Sequence, residues 1–277
     1  MPQRIADRYE RISTLGSGAF GDVYKVRDGE TGEIRALKVL RTGTDNVSVL
    51  ARFEREFAVI SRLEHPNVVR VFDYGLCDSG PYYSMEFLEG ADLKAFIEQF
   101  RVPERAPGYE VYAERIAYVF HQVADGLAAV HAAELMHRDL KPENVIVRPS
   151  RYPRAKLLDF GHARDDDSQD LTKTGTVMGT AWYIAPEQAT AADLTPAADI
   201  YSLGCCLFEA LVGTPPYNGN NVIDVLMGHI RKPVPDPRER EPRVSPELAE
   251  VCMHMLQKAP SERPADAKVI ARVLGEL

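Results

Sequence analysis

The chain is poor in cysteine: Cys77, Cys205, Cys206 and Cys252 are its four, with no Cys-x-x-Cys pair and no His/Cys metal-ligand spacing. That argues against a disulfide framework and against zinc, and it fits reduced thiols in a cytosolic setting. An excess of positive charge is also missing, since 33 Lys and Arg against 41 Asp and Glu give a formal net charge of -8. Binding phosphate backbones needs a strong basic footprint, so no nucleic-acid partner is expected. No apolar run approaches the roughly 18–20 residues of a membrane span, and the opening MPQRIADRYE lacks the apolar stretch of a signal peptide. These absences predict a cytoplasmic chain with no membrane segment of its own, whatever a longer parent protein carries. Internal repeats and low-complexity tracts are absent too.

What is present is an ordinary globular composition, 45% hydrophobic and 27% charged over 277 residues. Such a chain can bury a real core and is long enough for two lobes. Residues 9–88 run in short apolar stretches bounded by glycines and acidic turns (YERISTL, DVYKVRD, EIRALKVL, VVRVFDYGL, PYYSMEFL), which predicts strands. One helical interruption lies between Ser48 and Leu63, where Phe53, Phe57 and Ile60 share a face. After about Gly90 long helices take over, with Ile116, Val119, Val123, Leu127 and Val130 at helical spacing. The stretch DIYSLGCCLFEALVG, apolar nearly all round, predicts a helix at the centre of this part. Lys232–Pro246 is proline-rich and reads as an irregular connection before the chain returns to helix.

Gly16-Ser17-Gly18-Ala19-Phe20-Gly21 has the glycine spacing of a phosphate-binding loop, where backbone N–H groups can approach a polyphosphate. The residues after it, Asp22 to Val26, continue as a strand, so the loop tops a β-hairpin rather than opening a helix. Taken singly, a glycine-rich hairpin with no ligand fits equally well. Ala36-Leu37-Lys38-Val39 places a lysine inside an apolar strand, where it needs a partner such as Glu56 on the following helix. The decisive run is His137-Arg138-Asp139-Leu140-Lys141-Pro142-Glu143-Asn144, followed after one strand by Asp159-Phe160-Gly161. A base, a cation and two metal-directed oxygens from that set suit phosphoryl transfer.

With these motifs in this order, nearly the whole chain resembles a eukaryotic-type protein kinase domain, of the flavour found in bacterial serine/threonine kinases. The resemblance implies an α+β bilobal fold, with an antiparallel β-sheet N-lobe carrying one regulatory helix and a mainly α-helical C-lobe. It implies one kinase domain over 1–277, with the N-lobe at about 9–86, a hinge at 87–90 and the C-lobe at 91–277. It further implies ATP with magnesium or manganese. In that reading Gly16, Ser17, Gly18, Ala19, Phe20 and Gly21 cover the phosphates and Lys38, held by Glu56, contacts them. Val23, Ala36 and Ile146 sandwich the adenine, Met85 is the gatekeeper, and Glu86 and Leu88 meet the adenine edge. Asp139 takes or orients the substrate proton, Lys141 steadies the γ-phosphate, and Asn144 with Asp159 holds the metal.

The same resemblance assigns supporting roles. Glu187 pairs with Arg263, and Asp199 anchors the catalytic loop. Lys141 and the Thr180 loop imply serine or threonine in protein substrates. Arg138 implies a switch operated by a phosphate in the activation segment, with Thr172, Thr174 and Thr176 as candidates and trans-autophosphorylation, through a possible homodimer, as its route. Departures from the pattern are His162, where leucine is usual, and the acidic run Asp165-Asp166-Asp167. The alternative is a pseudokinase or nucleotide-binding scaffold, against which the complete set Lys38, Glu56, Asp139, Asn144 and Asp159 stands. His121, His131, His229 and His254 read as surface or satisfied interior.

Overall fold

The computed structural model describes residues 4–18, 21–41, 54, 57–101, 108–159 and 178–277. The chain divides into two compact units, Met1–Glu89 and Gly90–Leu277.

In the first unit, β1 (Arg4–Ile5), β2 (Tyr9–Gly18), β3 (Gly21–Asp28), β4 (Ile34–Leu40), β5 (Val71–Cys77) and β6 (Gly80–Glu86) form one sheet, ordered β1-β2-β3-β4-β6-β5. Every neighbouring pair is antiparallel. Side chains alternate faces along a strand, so in β4 Leu37 and Val39 share one face and Ala36 and Lys38 the other. Leu37 and Val39 join Tyr9, Val26 and Tyr82 in a core cluster, with the rings of Tyr9 and Tyr82 edge-on at 5.7 Å. Glu54 and residues 57–60 are helical, and Phe57 and Ile60 are buried; Phe53 lies outside the described residues. A charged cluster supports the sheet. Asp28, fully buried, takes two 2.8 Å hydrogen bonds from Arg8, and Arg35 reaches Asp73 at 2.9 Å. The Arg8 guanidinium holds the Asp28 carboxyl well below the usual range against its burial.

In the second unit, β7 (Ala91–Asp92), β8 (Val145–Arg148) and β9 (Arg154–Leu157) make a small antiparallel sheet in that order. The helices are α1 (Leu93–Arg101), α2 (Tyr109–Ala132), α3 (Met178–Ala181), α4 (Pro186–Ala189), α5 (Ala197–Val212), α6 (Val222–Arg231), α7 (Pro246–Met255) and α8 (Ala267–Gly275). The expected α2 stripe, Ile116 to Val130, is buried. Helix α5 is buried on almost every side and ends at Gly213, whose φ of 87° needs glycine and whose amide returns to the Glu209 carbonyl. Asn221, Ser245 and Asp266 cap α6, α7 and α8 by accepting from the amides of Asp224, Leu248 and Val269. The connection before α7 is irregular apart from one 3-10 turn at Pro237–Glu239. Among the described residues no helix is long and apolar enough to cross a membrane.

Candidate active site

The chemistry-bearing run lies between α2 and β8, and a buried carboxylate at the start of α5 organises it. Asp199 accepts from the His137 amide at 2.7 Å, from the Arg138 amide at 2.8 Å and from His131 Nε2 at 2.8 Å. Burial pushes its pKa up, but the hydrogen bonds from His131 and from the His137 amide help to outweigh this, so the group stays below the ordinary carboxylate value and ionised. Arg138, held there, has φ 62°, a left-handed conformation that L-residues avoid unless their surroundings impose it. His137 is fully buried, which lowers its pKa. As a neutral ring it donates from Nε2 to the Leu158 carbonyl at 2.7 Å, and that contact ties the loop to the strand end preceding Asp159.

Past this anchor the loop presents its polar groups. Lys141 Nζ stands 3.0 Å from Asp139 Oδ2, with both side chains mostly buried. Asn144 donates from Nδ2 to the Asp139 carbonyl at 2.7 Å and to Asp139 Oδ2 at 3.3 Å. The Pro142–Asn144 3-10 turn, closed by the Asn144 amide on the Lys141 carbonyl at 2.9 Å, produces this arrangement. The Leu158 amide binds the Asn144 carbonyl at 2.8 Å, and Asp159 follows with φ 47°. The Asn144 amide oxygen and the Asp159 carboxylate are hard oxygen donors, which fits magnesium. Among the described residues no group of three or more His, Cys, Asp or Glu side chains stands together as a metal site.

Asp139, Lys141 and Thr180 line one small cavity with Tyr183 and Gln188. Tyr183 donates to Glu209 on α5 at 2.5 Å, and burial pushes its phenol well above the ordinary range. Glu187 and Arg263 form a buried two-pronged pair at 2.5 and 2.8 Å, and Arg263 also donates to the carbonyls of Ala197, Gln257 and Lys258.

In the first unit the glycine run crowns the β2–β3 hairpin, with Gly18 opposite Gly21 and Ser17 opposite Asp22. Gly21 has φ 154°, and a Cβ there would lie 2.2 Å from the Val39 carbonyl oxygen, so no other residue fits. Arg41, which no sequence signal singled out, donates to the Gly18 carbonyl at 3.1 Å, Ser17 Oγ at 3.0 Å and Asp22 at 2.7 Å. Lys38 faces Val23 and Tyr83 across the sheet and is less buried than Leu37 or Val39. Ala36 pairs with Met85, and both are buried. The Glu86 amide is taken by the Arg70 carbonyl at 2.9 Å, and Leu88 follows the end of β6. Ile146 lies in β8 of the second unit.

Ala19, Phe20, Glu56, Thr172, Thr174 and Thr176 lie outside the described residues, as do His162 and Asp165 to Asp167. Two residues that the sequence did not mark belong to the site's framework: His131, which supports Asp199, and Gln188. Their partners lie 68 and 50 residues away, beyond any local pattern.

The chain matches the family model of the protein kinase domain over residues 9–273. It is 37% identical over 257 residues to serine/threonine-protein kinase PknD of Mycobacterium tuberculosis, covering 92% of this chain and 37% of that protein. It is 34% identical over 274 residues to serine/threonine-protein kinase pkn3 of Myxococcus xanthus, covering 95% of this chain and 49% of that protein. The chain thus spans less than half the length of these relatives. Among solved structures, the PknI kinase domain of Mycobacterium tuberculosis is similar with a TM-score of 0.74 and 28% identity, covering 99% of this chain and 98% of that one.

Proposed function

The chain belongs to the protein kinase domain family, of the bacterial serine/threonine type, and from that premise we propose that it transfers the γ-phosphate of ATP to serine or threonine hydroxyls of proteins. The observation that carries this is the catalytic loop: Lys141 Nζ at 3.0 Å and Asn144 Nδ2 at 3.3 Å from the same oxygen of Asp139, on a backbone pinned by Asp199. Asp139 is the group that orients the incoming hydroxyl and accepts its proton. Lys141 places a positive charge beside the carboxylate, where negative charge on the transferring phosphoryl builds up. Asn144 and Asp159 are the residues that would hold magnesium, which when bound supplies charge neutralisation on the phosphates.

For the nucleotide we assign the glycine hairpin and Lys38 as phosphate-facing groups, and Val23, Ala36, Met85, Glu86 and Leu88 as adenine-facing groups. Residues 9–86, with the hinge at 87–90, would then handle nucleotide and residues 91–277 catalysis and protein substrate. Autophosphorylation at Thr172 or Thr174, between two copies of the chain, is the activation route that the reading favours.

The test is transfer of labelled γ-phosphate from ATP with magnesium, comparing the protein with Asp139→Asn and locating the label by mass spectrometry. Label on Thr172 or Thr174, reduced by about 10³-fold or more in the variant, is the expected result. Nucleotide binding with no transfer by the unsubstituted protein to itself or to any protein substrate would overturn the proposal.

A further inference from the structure

Gln188 sits on the first turn of α4, directly after the Ala-Pro-Glu run, and is 9% exposed. A helix start leaves backbone N–H groups without intrahelical partners, and Ala185 at the N-cap has no side-chain acceptor to offer. Gln188 folds back so that its Oε1 accepts the Ala185 amide at 2.9 Å, which is one half of a capping box. A glutamate would serve that purpose equally. Glutamine differs in having an amide N–H to give, and Gln188 Nε2 donates to the Arg138 carbonyl at 3.1 Å.

The Arg138 carbonyl and the Asp139 amide belong to one rigid peptide plane. Gln188 holds the oxygen end of that plane, and the Asp139 N–H, bonded to the His137 carbonyl at 2.8 Å, holds the other. Arg138 reaches this orientation only through its left-handed φ of 62°, so the plane needs restraint from outside the loop. Asp139 hangs from that plane and faces the cavity it shares with Lys141, Thr180 and Gln188 itself.

We propose that Gln188 is a positioning residue that couples the start of α4 to Asp139, its side-chain amide joining the Ala185 amide on one side to the Arg138–Asp139 peptide plane on the other. The inference rests on the reading of Asp139 as the proton acceptor in phosphoryl transfer. It predicts that removing only the donated hydrogen bond leaves the fold intact and loosens the catalytic aspartate.

Gln188→Glu does this: it keeps the shape and the acceptor for Ala185 and loses the donor to Arg138. Gln188→Leu, which loses both bonds, is the second variant should a buried carboxylate prevent folding. Melting temperature, amide hydrogen exchange at residues 137–141, and kcat and KM for a peptide substrate are compared with the unsubstituted protein. Expected are a melting temperature close to that of the parent, exchange at the Asp139 amide faster by about tenfold, and kcat lower by about 10- to 100-fold with KM for ATP unchanged. Unaltered exchange and kcat in either folded variant overturn the proposal, as does a loss of kcat that only follows a fall in melting temperature. If the unsubstituted protein transfers no phosphate, the kinase reading fails, while the exchange comparison still decides whether Gln188 holds the loop.

Discussion

His229 on α6 is completely buried, with Nδ1 2.9 Å from the Tyr201 hydroxyl. Lys258 donates to the His229 carbonyl at 2.7 Å and to the Tyr217 hydroxyl at 2.8 Å, and lies 4.2 Å above the Tyr217 ring. Burial, and then the charge on Lys258, push the His229 pKa down to about 3 from the ordinary 6.5. The folded protein therefore keeps this ring neutral at pH values where the unfolded chain protonates it. Its contribution to stability is complete above pH 6.5 and is lost as pH falls from 6.5 towards about 3, by up to roughly 5 kcal/mol. Urea unfolding across that window should show a flatter pH slope in His229→Gln than in the parent, and identical slopes would contradict the assignment. At this scale the sequence was informative where residue type itself carries chemistry, as in Asp139, Lys141 and Asn144. It read His229 and His131 as surface or satisfied interior without choosing between the two, because an imidazole has no local signature separating a buried hydrogen-bonded ring from a surface one.

Between elements, the contact of α5 with α7 offers a contest of known magnitudes. Replacing a helical glycine by alanine ordinarily stabilises by about 1 kcal/mol. A Cβ on Gly204 of α5, however, would lie 2.8 Å from the Met255 Cβ on α7 and 3.3 Å from Leu256 side-chain atoms. The helices would have to part, and overpacking costs about 1–3 kcal/mol, so steric crowding wins. Gly204→Ala should lower the melting temperature, and a raised one would show that the helices can separate freely. That α5 is a central helix follows from its apolar composition alone. That Gly204, rather than any other position, is where α7 crosses does not, since the crossing depends on a helix some fifty residues later. Likewise the strands β2 to β6 were legible from alternation and turn residues, whereas the two-residue strands β1 and β7 are too short to carry a period and exist only through pairing.

At the scale of the whole molecule, each of the two compact units buries apolar residues of its own. Leu37, fully buried in the sheet cluster, belongs to the first. Leu37→Ala should destabilise that unit by about 2–5 kcal/mol and raise hydrogen exchange within residues 4–89. Protection of α2 and α5 in the second unit should be largely preserved. Loss of protection spread evenly over both units would mean that they unfold as one. By itself the sequence determined the longer strands and helices, the change from strand to helix near Gly90 and the motifs that carry the kinase resemblance, because these depend on residue type and spacing along the chain. Only the tertiary structure decided that His131 supports Asp199, that Arg8 holds the buried Asp28 while Arg35 reaches Asp73, and that Gln188 grips the peptide plane before Asp139. Each of these links joins groups tens of residues apart, and the free energy of burying a polar group depends on which partners the fold brings within hydrogen-bonding distance.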